Sequence, residues 1–445
     1  MPYVKKSRRE SKHGTKAACW RFGGRNAGPT MQHQYTGVFN LFAVILSCTL
    51  IAGCADLDYL VEDEQGTKTG ENEPLDAFKR VDPADLRLSL WSQGVKPLMI
   101  DNVKPMDDPE VKLGQLLFFD PILSGNQDIA CSTCHHPNFG TSDALPTSIG
   151  VGGSGLGPTR SLGQDRELIP RNSPDLFNRG SSLWETMFWD ARVSVAAGYF
   201  DTPAGSGLPH GLSTILAAQA MFPVTSADEM RGHGDENALS GFTSDELEHV
   251  WAGLTARVIA IDEYAALFAE AYPGVSIEEI GFEHIANALA TFEVAAFTKT
   301  DSPFDRFLGG DDAALNGLEL QGAMLFYGQA GCSSCHSGAL MTDQKAHCIA
   351  SPQLGPGKSK KDDLGRYLET KDEADLYAFR TPPLRNVELT GPYMHAGAFD
   401  NLEDVVNHHI RPESSLRGYD GEHLAGPYEE MVLRDVDVHD LMVSF

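Results

Sequence analysis

Basic residues are in short supply: 35 Lys and Arg stand against 62 Asp and Glu, a formal net charge of −27 over 445 residues. A chain that neutralises nucleic-acid phosphates needs clustered cations, so nucleic acid is excluded as a partner, and a protein partner is expected to present a basic face. Cysteine is sparse too, and eight are too few to serve as a disulfide scaffold for this length. The one long apolar run, Gly37 to Gly53, has 17 residues and is short for a membrane span. With 42% apolar and 22% charged residues the composition is globular, which excludes disorder and collagen-like repeats.

What is present begins with a leader. Eight basic residues and one acid, Glu10, precede the apolar run, the pattern of a signal peptide over 1–53. The run ends Leu50-Ile51-Ala52-Gly53-Cys54, which resembles a bacterial lipobox with Cys54 as lipid anchor; a plain signal peptide is the alternative. Ala55 after the cysteine points to the outer membrane, facing the periplasm. Met31 is an alternative start, and the apolar run lies too far downstream for Arg8-Arg9 to open a twin-arginine signal. Residues 54–445 carry 27 basic and 61 acidic residues, net −34. Of these, 54–84 are polar, acidic and without periodicity, and are expected to form a tether.

Two motifs carry the chemistry: Cys131-Ser132-Thr133-Cys134-His135 and Cys332-Ser333-Ser334-Cys335-His336. In C-x-x-C-H the thiols add to the vinyl groups of a porphyrin, and the adjacent imidazole ligates the iron. A thioredoxin-like motif or a zinc site explains one or two C-x-x-C pairs but not the His after both. Two covalently bound hemes c are therefore expected, on Cys131, Cys134, Cys332 and Cys335, with His135 and His336 as proximal ligands. Cys348 is expected to be a buried, inert thiol. The 201-position separation of the two histidines leaves room for a helical domain around each heme. Apolar periodicity leads into both motifs and continues at 244–272 and 276–297, and strand signals are few. Asp301-Ser302-Pro303 breaks the pattern. The expected fold is mainly α, with two cytochrome c-like domains over 85–299 and 300–445.

A further absence separates the two halves. Between Pro137 and Thr186 there is no His, Met, Cys, Tyr or Lys, so the loop after the first motif cannot cap its own iron. The first iron is expected to be open to a small oxidant unless His210 or Met221 reaches it from afar. In the second half, Leu402, Val405, Val406 and His409 share one face of a helix begun by Asn401, while His408 lies about 100° round on the more polar side. His409 is the expected distal ligand of the second iron, with Met394, His395 or His408 as substitutes.

At this point the chain resembles the bacterial di-heme cytochrome c peroxidases, a family that includes the MauG-type enzymes. The resemblance runs over about 105–410. It rests on Lys112 to Asp120, Leu145 to Gly150, Arg171-Asn172-Ser173-Pro174, Phe188-Trp189-Asp190, Gln219 with Glu229-Met230, Phe379 to Asn386 and Thr390 to His395. It implies a peroxidatic first heme with Gln219 and Glu229 over its open face and Pro223 between them. Glu229 would shuttle the proton, Trp189 would relay electrons between the hemes, and Arg380 would hold a propionate. Asn172, Thr390 and the Pro392 carbonyl would be ligands of Ca2+.

Two departures alter the expectation. Where members that need reductive activation carry a blocking His, this chain has Val151, so no activation is expected. The family's axial Met or Tyr aligns with His409, which weakens a high-potential role for the second heme. The Gly/Pro-rich insertion at 195–214 has no readable role, and Leu441 to Phe445 reads as mid-helix, as in a truncated frame. The expected activity is reduction of H2O2 with electrons from a small cytochrome c or cupredoxin, with the membrane engaged only through the lipid. A homodimer is left open. A MauG-like oxidase of a protein side chain and a non-enzymatic di-heme carrier are the alternatives.

Overall fold

Proline and capping side chains set where the helices begin. In a computed structural model that describes residues 81–355, 357, 362–421, 424 and 428, helix α1 (Pro83–Ser92) follows Asp82, whose Oδ1 accepts from the Ala84 and Asp85 amides at 2.9 and 3.1 Å. Helix α2 (Pro109–Phe119) repeats the device with Asp108 and ends at Asp120 before a proline. The leader, Cys54, most of the tether and residues 441–445 lie outside the described residues. The first C-x-x-C is the single turn α3 (Cys131–Cys134), and α4 (Ile215–Ala220) is likewise short.

The long amphipathic stretch at 244–272 is two helices, α5 (Leu247–Ile259) and α6 (Asp262–Ala271); the chain restarts where Asp262 and Glu263 supply first-turn acids. The stretch at 276–297 opens as a 3-10 turn, Ile277–Glu279, and becomes α7 (Phe282–Phe297) only after the extended Gly281. Helices α2 and α7 cross closely, since a Cβ on Gly114 would stand 1.9 Å from the Ala288 carbonyl oxygen. This lets Leu113, Leu117 and Phe118 bury against Ile285, Leu289 and Phe292, with Val250, Trp251, Leu254 and Phe268 closing the cluster. Each such side chain contributes about 1.5–3 kcal/mol by leaving water.

A second cluster joins Leu86 and Leu90 of α1 to α8 (Pro303–Leu308), α9 (Gly317–Phe326) and Met341. Thus α1, though N-terminal, packs with residues beyond 300. A third cluster of Leu145, Ile149, Leu354, Ala396 and Phe399 draws from both sides of that position. Cys131 and Cys134 pack on the first cluster and Cys332 on the second. After the short α10 (Tyr367–Thr370), α11 (Leu402–Ile410) and α12 (Pro412–Gly418) complete the mainly helical architecture.

Strands are few and short. β1 (Thr186–Met187), β2 (Val193–Ala196) and β3 (Tyr199–Asp201) form an antiparallel sheet in that order, and β4 (Ala346–His347) pairs antiparallel with β5 (Phe379–Arg380). The insertion at 195–214 therefore starts as a hairpin, turning at Ala197 and Gly198, both with positive φ.

Candidate functional site

The turn at Cys131 is steadied by Thr133, whose Oγ1 accepts from the Ala130 amide at 3.1 Å. His135 follows with Nδ1 3.2 Å from the Thr141 carbonyl and 3.3 Å from Ser173 Oγ, which itself donates to the Cys134 carbonyl at 2.8 Å. Occupying Nδ1 fixes the ring and leaves Nε2 as the nitrogen available to a metal. Burial brings the His135 pKa down to about 4, so the ring is neutral, the form that ligates.

Gln219, Pro223 and Glu229 lie on three consecutive short elements: α4, the 3-10 turn Pro223–Thr225 and the single π-turn Ala227–Arg231. Trp251 Nε1 donates to the Met221 carbonyl at 2.7 Å and pins the first junction. All three residues are half-buried. The Glu229 charge reaches the Cys134 thiol and, with burial and Asp143 as larger causes, raises its pKa. The carboxylate is therefore within electrostatic range of the first C-x-x-C-H. Val151 is 2% exposed and packs in the first cluster, its amide shared between the Glu229 and Asp228 carbonyls at 3.0 and 3.3 Å. Met221 is buried in the same cluster, and His210 is exposed.

Trp189 is half-buried. Its Nε1 donates to the Asn172 carbonyl at 2.9 Å, one residue before the Ser173 that meets His135, and it also lines the second cavity. That cavity, about 840 Å3, is walled by Cys332, Cys335 and His336 and by Leu402, Val405, Val406 and His409 of α11. His336 Nδ1 meets the Met341 carbonyl at 3.3 Å and His409 Nδ1 the Val405 carbonyl at 2.8 Å, so both rings keep Nε2 available. Burial first and the neighbouring His409 second bring His336 down to about 4. His409 opens onto the cavity, yet burial depresses its own pKa.

His408 differs from its sequence reading. It is fully buried, with Nε2 2.8 Å from the Ile349 carbonyl and Nδ1 3.1 Å from Ser415 Oγ, because α12 folds over the side of α11 that the pattern assigned to polar surroundings. With both nitrogens engaged it is no substitute ligand. Met394 and His395 line the cavity, and His395 stacks on Phe379 at 3.7 Å.

Arg380 is buried at the cavity wall, donating from Nε to the Phe188 carbonyl at 2.8 Å. Burial, then the charge of Arg179, lowers it to about 9, and no carboxylate forms an ion pair with it among the described residues. A buried cation so placed suits an anionic group in the cavity. Asn172, Thr390 and Pro392 line the same cavity; the Asn172 amide nitrogen donates to the Leu145 carbonyl at 2.9 Å, a bond that does not use its side-chain oxygen.

Three features escape the sequence patterns. Glu293 on α7 is buried with Oε2 unpartnered, its pKa raised to about 8 by burial, and it adds to the raised pKa of Cys131. His347 and Asp343 pair at 2.8 Å next to Cys335. Arg171 forks onto Asp363 at 2.6 and 2.8 Å and reaches Asp190 at 2.5 Å, all three buried. Long sequence separations hide such pairs from any local pattern.

Residues 108–313 match the model of the family described as di-haem cytochrome c peroxidase. The chain is 34% identical to the methylamine utilization protein MauG of Methylorubrum extorquens, covering 69% of this chain and 70% of that protein. It is 31% identical to the cytochrome c551 peroxidase of Pseudomonas aeruginosa, covering 68% and 72%. Among solved structures, a MauG-like protein associated with microbial copper homeostasis superposes with a TM-score of 0.50 at 26% identity, covering 78% of this chain and 91% of that one.

Proposed function

Because the chain belongs to the di-haem cytochrome c peroxidase family, whose relatives include both peroxidases and MauG proteins, we propose that it reduces hydrogen peroxide to water, H2O2 + 2H+ + 2e− giving 2H2O. A small cytochrome c or cupredoxin with a basic docking face would deliver the electrons singly. The observation that carries this reading is the unequal equipment of the two motifs. His409 faces His336 over the second cavity, whereas the apolar Val151 and the carboxylate of Glu229 stand near the first.

The residues fit the hemes c that the family implies: two thiols beside a neutral imidazole with Nε2 free of hydrogen bonds among the described residues, twice, and a buried guanidinium at Arg380 with no carboxylate ion pair among the described residues. When bound, the heme iron supplies the peroxide-binding position and the electron exchange. Glu229 would take a proton from one peroxide oxygen and return it to the other, and Gln219 would hold the peroxide by hydrogen bonding, with Pro223 shaping the turn between them. Trp189, hydrogen-bonded to the Asn172 carbonyl and lining the second cavity, would relay electrons between the hemes. Arg380 would hold a propionate, and Asn172, Thr390 and the Pro392 carbonyl would offer hard oxygen donors to a calcium ion. Cys54 would anchor the protein by lipid in the periplasm.

Titrating the fully oxidised, heme-loaded protein with one equivalent of H2O2, followed optically and by EPR, tests the reading. A high-spin signal beside a low-spin one, with only the first altered by peroxide, is the expected result. Two low-spin signals indifferent to peroxide would leave a di-heme electron carrier instead. The identity to MauG supports a second reading, oxidation of a protein side chain, which predicts peroxide consumption without turnover of reduced cytochrome.

The ligand assignment makes its own prediction. His409→Ala converts the low-spin signal to high-spin with both hemes still attached, while His409→Met keeps it low-spin and raises its potential. A low-spin signal unchanged in His409→Ala would remove His409 from the iron.

A further inference from the structure

The segment bearing Glu229 has no long helix behind it. It is a single π-turn, a geometry that is rare and concentrated at functional sites. Two glycines let neighbouring backbone lie flush against it: a Cβ on Gly125 would stand 1.8 Å from the Arg231 carbonyl oxygen, and one on Gly150 1.9 Å from that of Asp228. Between these flanks the contacts are backbone to backbone. Gly125 N donates to the Met230 carbonyl at 2.7 Å, and Val151 N to the carbonyls of Glu229 and Asp228.

The loop that supplies Gly150 and Val151 is closed by one side chain. Arg160, 6% exposed, donates from Nε to the Ile149 carbonyl at 2.7 Å, from Nη2 to that of Gly150 at 2.7 Å and from Nη1 to that of Gly155 at 3.0 Å. Its three nitrogens thus grip both ends of 149–155. Asp128 takes the middle, accepting from the Gly152 amide at 2.8 Å, and Ser154 and Ser161 exchange backbone bonds of 3.0 and 2.8 Å at the base. A planar fork satisfies three diverging carbonyls, which an ammonium on a flexible stem does not do in one pose.

We infer that Arg160 is the positioning residue of the first site: it fixes loop 149–155, whose Gly150 and Val151 fix the backbone of Glu229, and so it sets where that carboxylate stands. The catalytic consequence rests on the proposed role of Glu229; the clamp itself does not.

Amide hydrogen exchange on the heme-loaded full chain tests it, comparing Arg160→Met and, in case that variant accumulates poorly, Arg160→Lys. Residues 149–155 and 226–231 are expected to lose protection together, by about tenfold or more, with α2 and α7 unchanged. The rate with peroxide falls in parallel while the EPR signal of the second heme is unaltered. Combined with Glu229→Gln, the losses are less than multiplicative, as for residues acting through one another. Loosening confined to 149–155, or losses that multiply, would overturn the inference. If Glu229→Gln alone leaves the rate unchanged, the proposed function of Glu229 fails, and exchange still decides the clamp.

Discussion

Glu229→Gln lowers the rate of the oxidised, heme-loaded protein with hydrogen peroxide by roughly 10²–10⁴-fold, the range that a positioned proton carrier contributes. The amide preserves the size of the side chain and removes its negative charge and its capacity to hold and return a proton. The backbone should stay in place, since its contacts to Gly125 and Val151 do not involve the side chain. The resting spectra of both hemes are therefore expected to match the parent. Stopped-flow mixing with peroxide at several pH values reads the loss; a rate within a factor of about two of the parent would assign the proton to another group. Glu293 is the group to examine in that event, being a buried acid near Cys131 whose raised pKa makes it a proton holder near neutral pH.

The largest expected loss of stability comes from Arg171→Met. Arg171 satisfies Asp363 through two bonds and Asp190 through a third, and all three groups are buried. Arg192 still reaches Asp190 at 3.0 Å, so removing Arg171 leaves the buried Asp363 carboxylate without its cation, at a cost of about 3–5 kcal/mol. The pH dependence has a definite sign. Burial pushes the Asp363 carboxyl up, but the hydrogen bonds and charge of Arg171 outweigh it and hold the group below its ordinary value. The pair therefore stabilises fully above the unfolded carboxylate pKa of about 3.9 and is lost as the pH falls through the folded value. Denaturant midpoints should differ most at neutral pH, and the gap between parent and variant should narrow below about pH 4. A gap that widens in acid would contradict the assignment of the pair.

How much of this was open to reading before the structure depends on where each signal lies along the chain. The C-x-x-C-H motifs compress their chemistry into five contiguous residues. The face of α11 is nearly as local: Leu402, Val405, Val406 and His409 repeat at helical spacing, and all four line the cavity. The mainly helical class follows from apolar periodicity of the same kind. The misreading of His408 has the opposite origin, because what buries it is Ile349 and Ser415, one of them 59 positions away. The Arg171–Asp363 pair spans 192 positions. Arg160 is harder still, since its partners are carbonyl oxygens, which every residue possesses and no composition reveals. The split between α5 and α6 turns on the first-turn acids Asp262 and Glu263, which the apolar period of 244–272 does not show.

The flush contacts at Gly125 and Gly150 carry a consequence for how such a protein can diverge. Neither glycine bears a functional group, yet each meets a carbonyl oxygen at a distance that admits no side chain. A substitution at either position cannot be absorbed by a rotamer change opposite, because the obstacle is main chain; only a coordinated shift of the π-turn itself would make room. These two positions should therefore resist drift as firmly as the Glu229 they flank, and a ranking of sites by invariance alone would mistake them for chemistry.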